Sequence, residues 1–215
     1  MRLIFSAKLI PMYFKSLLTT KHEQPKLWKF FTEEVPTFSV AFFRRSCLLS
    51  GFFTHIYFKK VCNESAITYS NIWEKYQDEV EATLERLFQI RLNDKIQACV
   101  CICPMYLRNI DKRSFLLPAN ADEMRITEII IHELSHFYFF EAYKRILPIS
   151  YSTWLISEQI VPYLIETHFK DIYSHNDSYV SNPSNETMKY ISMWLNNSIT
   201  FSQFIKILIA KGEYK

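Results

Sequence analysis

The chain has 215 residues, and its 49% hydrophobic residues supply enough apolar side chains for a packed core, which excludes a wholly disordered chain. Its two glycines, Gly51 and Gly212, are too few and too far apart for a glycine-rich phosphate loop or a dinucleotide-binding fingerprint. The formal net charge of +3 is too small to indicate a nucleic-acid or anionic-membrane partner.

The first 60 residues are apolar and aromatic, and their periodicity does not distinguish strand from buried helix. Lys8 and Pro11 interrupt the apolar start without a small-residue cleavage site, so we expect no signal peptide. No uncharged apolar run reaches the roughly 18 residues of a membrane-spanning helix. We therefore expect a cytoplasmic protein that contacts no membrane. The length predicts one domain, with an N-terminal segment (1–60), a central core (61–170) and a C-terminal part (171–215).

Residues 65–92 are predicted to form one helix. Apolar side chains recur there at helical spacing, with glutamate, lysine and arginine between them. The apolar set comprises Ile72, Tyr76, Val80, Leu84, Leu87 and Phe88. A turn at Asn93 and Asp94 then leads into a more apolar segment.

Two short strands are predicted next, at 96–102 and 114–117, with a polar turn at 109–113 between them and Pro118 after the second. Cys99, Cys101 and Cys103 alternate along the apolar run that begins in the first strand, and we therefore expect them to share one face. Side chains two apart on a strand point in parallel instead of converging on a metal. We interpret these cysteines as small buried thiols.

Helices are predicted for most of the remaining chain. A long central helix is expected from Asn120, a suitable N-cap, to about Arg145, and a second helix from about 152 to 169. A polar loop at 171–187 precedes helices at 188–196 and 200–211. The chain thus reads as an α+β protein, mainly helical, with a small sheet just upstream of the central helix.

The central helix contains the sequence His-Glu-Leu-Ser-His at 132–136. Two histidines four residues apart lie on the same helix face, one above the other, and both imidazoles can reach one Zn²⁺ ion. Glu133 lies about 100° round the helix from His132, where its carboxylate can reach a metal-held water instead of the metal. This spacing suits a hydrolase with two ligands and an adjacent general base.

The setting of this motif favours a metal site. The flanking isoleucines, leucine and phenylalanines cover most of the helix circumference, so the helix is predicted to be buried nearly all round. Burying two histidines and a glutamate is costly without partners, and a bound cation supplies the compensation. The alternative is that His132 and His136 are hydrogen-bonded core residues while Glu133 lies on an exposed strip.

Catalytic zinc usually has three protein ligands, and the candidates for the third are Glu141, Glu158, Glu166, His168 and His175. At a rise of about 1.5 Å per residue, a chain reversal near Pro148 brings Glu158 roughly level with His136, whereas Glu166 overshoots by two turns. Glu158 also lies in an apolar helix segment, where a carboxylate needs a partner. We therefore favour Glu158 over an exposed-glutamate interpretation of that residue.

These residues resemble the gluzincin clan of zinc metallopeptidases. The resemblance consists of the HELSH sequence in an apolar helix and a glutamate 22 residues after His136, in Trp-Leu-Ile-Ser-Glu158. It covers roughly 96–169, and the small size of the chain is similar to that of the single-domain minigluzincins. The metzincin pattern fits less well, because no glycine and third histidine follow His136 closely.

The resemblance implies a zincin-like fold that holds Zn²⁺ through His132, His136 and Glu158, with Glu133 as general base and acid. It also implies that the strand Ser114, Phe115, Leu116 and Leu117 is the edge of the sheet above the site and binds an extended peptide or protein substrate by main-chain pairing. For the oxyanion-stabilising group it leaves four candidates, Tyr151, Tyr163, His168 and His175. Glu128, one turn before His132, is a candidate for orienting that histidine.

The sequence therefore predicts a zinc-dependent peptidase in which a metal-activated water attacks the peptide bond and Glu133 takes its proton. Two alternatives remain open. The first is a catalytically silent zinc-binding protein on the same scaffold, and the second is a helical interaction protein without a metal. The segment 1–60 could also cover the cleft, and the loop 171–187 could be a lid, although a core segment and a plain connector are the simpler interpretations.

Overall fold

A computed structural model describes the chain over five ranges, which are 1–7, 51–101, 108–149, 151–172 and 183–211; for residue 7 and for 51–58 and 151–152 it describes the backbone alone. In chain order, the elements of these ranges are β1 (Arg2–Ala7), α1 (Gly51–Trp73), α2 (Gln77–Phe88), β2 (Lys95–Cys101), β3 (Arg108–Asn109), β4 (Ser114–Pro118), α3 (Glu123–Lys144), α4 (Tyr151–His168), α5 (Asn185–Leu195) and α6 (Phe201–Ala210). The predicted class, a mainly helical α+β protein with a small sheet upstream of the central helix, is confirmed.

The sheet has the strand order β1-β2-β4-β3. The first three strands of this order run parallel, and β3 runs antiparallel to β4. Parallel strands are usually covered on both faces, and β2 fits this rule because Ala98 and Val100 pack in the main core while Cys99 and Cys101 form a separate buried cluster with Leu116. The prediction of buried thiols is confirmed for Cys99 and Cys101, whereas Cys103 lies outside the described residues.

The prediction of one helix over 65–92 is wrong, because the segment forms two helices. A turn at 74–76 separates α1 from α2, and there Lys75 and Tyr76 donate their N–H groups to carbonyls three residues earlier. The apolar spacing continues across the turn because both helices bury a face in the same core. Helix α1 also begins earlier than predicted, at Gly51.

The cap of the central helix α3 lies two residues later than predicted. The carboxylate of Asp122 accepts the N–H of Arg125 at 2.8 Å and caps the helix. Asn120 instead adopts a left-handed conformation with φ of 59°, which asparagine tolerates better than most residues. The predicted ends near 145 and the second helix near 152–169 agree with α3 and α4.

The C-terminal helices are confirmed with shifted starts. Ser184 caps α5, which therefore begins at Asn185, and Thr200 and Gln203 cap α6 reciprocally. Most of the predicted loop at 171–187 lies outside the described residues, as does 8–50, so the interpretations of these segments as lid, connector or cleft cover stay predictions. No helix in the described part of the chain has the length and apolar character needed to cross a membrane.

Helix α3 lies at the centre of the fold and is buried on nearly all sides, as its sequence predicts. It contacts α4, α2, α1, α6 and β4. Its C-terminal half joins a group of stacked and edge-to-face rings, which we call the aromatic cluster, consisting of Phe88, Tyr138, Phe139, Trp194, Phe201 and Phe204. This packing fixes the orientation of α3 and so determines where its histidines point.

Candidate metal centre

The two histidines of α3 converge on one point. Their Nε2 atoms lie 3.1 Å apart, and the ring centroids are separated by 4.8 Å. The i,i+4 spacing places the rings one above the other, as the sequence predicts. His136 is fully buried and His132 is partly buried.

A hydroxyl on the neighbouring helix fixes the tautomer of His136. Ser157 donates its hydroxyl hydrogen to the Trp154 carbonyl at 2.8 Å. The Ser157 oxygen, 3.2 Å from His136 Nδ1, therefore accepts the Nδ1 hydrogen. This arrangement leaves a lone pair on Nε2, the atom that faces His132.

Glu158 completes a group of three donors. Its Oε1 atom lies 3.6 Å from His136 Nε2, and the donor atoms of His132, His136 and Glu158 all lie within 4.8 Å of one another. In a tetrahedral zinc site with bonds of about 2.0–2.1 Å, neighbouring donors are about 3.3 Å apart. Two imidazole nitrogens and one carboxylate oxygen are also a donor set of known catalytic zinc sites, so these residues fit a zinc ion.

Burial keeps both imidazoles neutral, which is the form that binds a metal. Burial first, and then the nearby Arg108 and Arg125, lower the pKa of His132 to about 3. The pKa of His136 falls well below its usual value, first through burial and then through Arg108 and His132. Two neutral rings with facing nitrogens can share one hydrogen, or a cation between them can take both lone pairs.

Glu133 lies beside the three donors but is not one of them. Its side chain is almost completely buried, and burial raises its pKa to about 7, although Arg108 opposes this shift. Such a pKa suits a group that takes and returns a proton near neutral pH. The alternative prediction of an exposed Glu133 is wrong.

Arg108 is the residue of this site that the sequence did not single out. From β3, its guanidinium donates through Nη1 to Glu133 at 3.3 Å and through Nη2 to Oε1 of Glu158. Only 12% of the Arg108 side chain is exposed. One signal was available: two buried carboxylates require nearby positive charge, and arginine is the residue that most readily binds carboxylates through two donors.

The other candidate ligands, and the candidates for orienting His132 or stabilising the oxyanion, lie elsewhere, have other partners or are not described. Glu128 accepts a hydrogen bond from Arg125 at 3.0 Å, and Glu141 accepts one from Arg113 at 3.0 Å. His168 bonds to the carbonyl of Leu195, and Glu166 is exposed. Of the oxyanion candidates, Tyr163 is half-buried on α4, the Tyr151 side chain is outside the description, and His175 is outside the described residues.

The expectation that Ser114–Leu117 forms the outer edge of the sheet is wrong. This segment is part of β4, which lies between β2 and the two-residue strand β3. Asn109 pairs with Ser114 and Arg108 pairs with Phe115, because the turn at 110–113 folds β3 back onto β4. Phe115, Leu116 and Leu117 are buried. Peptide binding by these four residues stays a prediction.

No protein-family model matches this chain, and comparisons with curated proteins and with solved structures found no match either. The case for a function therefore depends on the residues of the site.

Proposed function

We propose that the protein is a zinc metallopeptidase that cleaves peptide bonds in a gluzincin-like manner. The observation that carries this proposal is the convergence of His132, His136 and Glu158, with Glu133 beside them. Among the described residues, this is the one group of histidines, cysteines and carboxylates that could hold a metal ion. An accidental cluster has no reason to place a buried carboxylate next to the ligands at the HExxH spacing.

A zinc ion held by the three donors would lower the pKa of a water toward about 7 and polarise the scissile carbonyl. The chain supplies the remaining functions. Glu133 accepts the proton of the attacking water and passes it to the leaving amine. Ser157 keeps the donor nitrogen of His136 free for the metal, and burial keeps both histidines unprotonated.

The proposed substrate is an extended peptide segment that runs along the side of the sheet nearest the site. Main-chain pairing with a strand fits substrates of varied sequence, because the backbone provides the hydrogen bonds. The contact segment proposed from the family resemblance, Ser114–Leu117, already pairs with β3 at its first two residues. Substrate pairing at the remaining two positions, Leu116 and Leu117, would require the main chain of these buried residues to become accessible.

The substitution Glu133→Gln tests the proposal. We expect zinc to remain bound while the rate of peptide-library hydrolysis falls by about 10²–10⁴-fold, because the amide cannot take a proton. Glu141→Gln is the matched control, since Glu141 lies on the same helix but pairs with Arg113 outside the site. Wild-type hydrolysis without zinc, or full activity in Glu133→Gln, would contradict the assigned role.

A second candidate is a catalytically silent zinc-binding protein. The observation that favours it is the hydrogen bond from Arg108 to Glu133, which engages the proposed base. Stoichiometric zinc binding together with no cleavage of any library peptide would support this candidate. A helical interaction protein, by contrast, predicts no zinc binding at all.

A further inference from the structure

We propose that the guanidinium of Arg108 and the zinc ion compete for the same carboxylates, so that zinc binding releases Arg108 from the site. This inference rests on the zinc site of the proposed function but does not require that the protein hydrolyse peptides. It assigns to Arg108 a direct influence on metal affinity.

Arg108 contacts the same carboxylate oxygen that a zinc ion would use. Arg108 Nη2 binds Oε1 of Glu158, and this oxygen is the atom that lies 3.6 Å from His136 Nε2 in the donor group. A guanidinium nitrogen and a zinc ion are both cationic, and they cannot approach one carboxylate oxygen from the same side. Arg108 Nη1 also engages Glu133, the carboxylate next to the metal position.

The charges of the group also favour release of Arg108 when zinc binds. In their ionised forms, Glu133 and Glu158 together carry two negative charges, which match the charge of one divalent ion. With zinc bound, the guanidinium adds a positive charge that has no remaining negative partner in the group. Repulsion between the two cations is strong because the site is largely buried and poorly screened.

The position of Arg108 allows its guanidinium to leave the site. The residue lies on the short outer strand β3, and 12% of its side chain already reaches solvent. Arginine has a long side chain that can turn outward without movement of the strand. Release of the guanidinium would uncover Glu133 and Glu158 together, which gives water and substrate access to the same region.

Arg113 offers a matched control. It lies at the end of the turn that joins β3 to β4, and its guanidinium also binds two carboxylates, Asp94 and Glu141. Neither carboxylate belongs to the metal-ligand group. Removal of the Arg113 charge therefore reproduces the loss of an arginine from the same hairpin without removing a competitor of zinc.

The first experiment measures the zinc dissociation constant of the full chain by competition with a chromophoric chelator. We expect Arg108→Met to bind zinc at least about tenfold more tightly than the wild type, and Arg113→Met to stay within about twofold. Arg108→Lys should fall between wild type and Arg108→Met, because lysine keeps the charge but lacks the two-donor fork. Weaker zinc binding in Arg108→Met, or equal tightening in both methionine variants, would overturn the proposal.

A second measurement uses only the wild type, so it tests the proposal even if Arg108→Met does not fold. Phenylglyoxal modifies accessible arginines, and mass spectrometry gives the rate at Arg108 relative to Arg113 in the wild type. We expect this ratio to rise several-fold when zinc is added. An unchanged or lower ratio would overturn the proposal.

The outcomes separate this inference from the proposed function. Zinc binding with unchanged affinity in Arg108→Met rejects the competition alone. Tighter zinc binding in that variant, without any hydrolysis by the wild type, supports the competition and rejects the peptidase. Failure of both the wild type and Arg108→Met to bind zinc rejects both proposals.

Discussion

Two neighbouring regions along α3 show different ways of stabilising a buried helix. The aromatic cluster at its C-terminal half is held by ring packing, with centroids of 5.0–6.2 Å between neighbours such as Phe88 and Phe201 or Phe88 and Tyr138. The candidate metal centre instead buries histidines and carboxylates, which are stable only with a cation or hydrogen-bond partners. The first region should therefore be indifferent to metal, whereas the second should depend on it.

The largest expected effect comes from a substitution in the apolar region. Ile205 on α6 is fully buried in the core that contains the aromatic cluster, and Ile205→Ala should lower the free energy of unfolding by about 2–5 kcal/mol. Ile209 on the same helix is 38% exposed, so Ile209→Ala should cost much less. Chemical denaturation measures both. Neither variant should change zinc affinity in the folded state, and a changed affinity in either would contradict the separation of the two regions.

The next prediction concerns the candidate metal centre. Ser157→Ala removes the acceptor for His136 Nδ1–H and leaves a buried donor without its partner. We expect zinc affinity to fall by about 10–100-fold, measured by chelator competition. Thr167→Ala, which removes an exposed hydroxyl of the same helix that donates to the Tyr163 carbonyl, is the control and should leave the affinity unchanged. Unchanged affinity in Ser157→Ala would show that this hydroxyl does not orient the ligand.

The smallest expected effect concerns the N-terminal cap of α6, which depends neither on ring packing nor on a metal. Thr200 caps α6 reciprocally with Gln203, and Thr200→Ala should lower the free energy of unfolding by about 0.5–2 kcal/mol. Thr200→Ser keeps the hydroxyl and should retain most of the stability. Thermal or chemical unfolding measures the pair, and equal losses in both variants would reject the cap as the cause.

Local periodicity accounts for the parts of the fold and site that the sequence could predict. The HExxH spacing and the rise per residue predict that His132, His136 and Glu158 lie together, and they do so because both helices are regular. The helix break at 74–76 was missed because the apolar spacing runs through it. Parallel pairing of β1 with β2 joins residues about 90 positions apart, and no local pattern specifies such pairing.

Arg108 shows why the remainder of the site was not predictable. A single arginine in a polar turn region carries no periodic signal, and its contacts with Glu133 and Glu158 arise only when β3 folds back on β4. The same hairpin explains the error about the sheet edge, since the sequence pattern predicts a turn from Asn109 and no strand at Arg108. Contacts that depend on the placement of three separate elements require the structure.

The most direct test of the account is X-ray absorption spectroscopy at the zinc edge on the zinc-loaded full chain and on Glu158→Ala. The account predicts one zinc per chain with nitrogen and oxygen neighbours at about 2.0–2.2 Å, two of them imidazoles, and a loss of affinity in Glu158→Ala. Sulfur neighbours at about 2.3 Å would place the metal at cysteines instead. That result, or no bound zinc, would contradict a metal centre built from His132, His136 and Glu158.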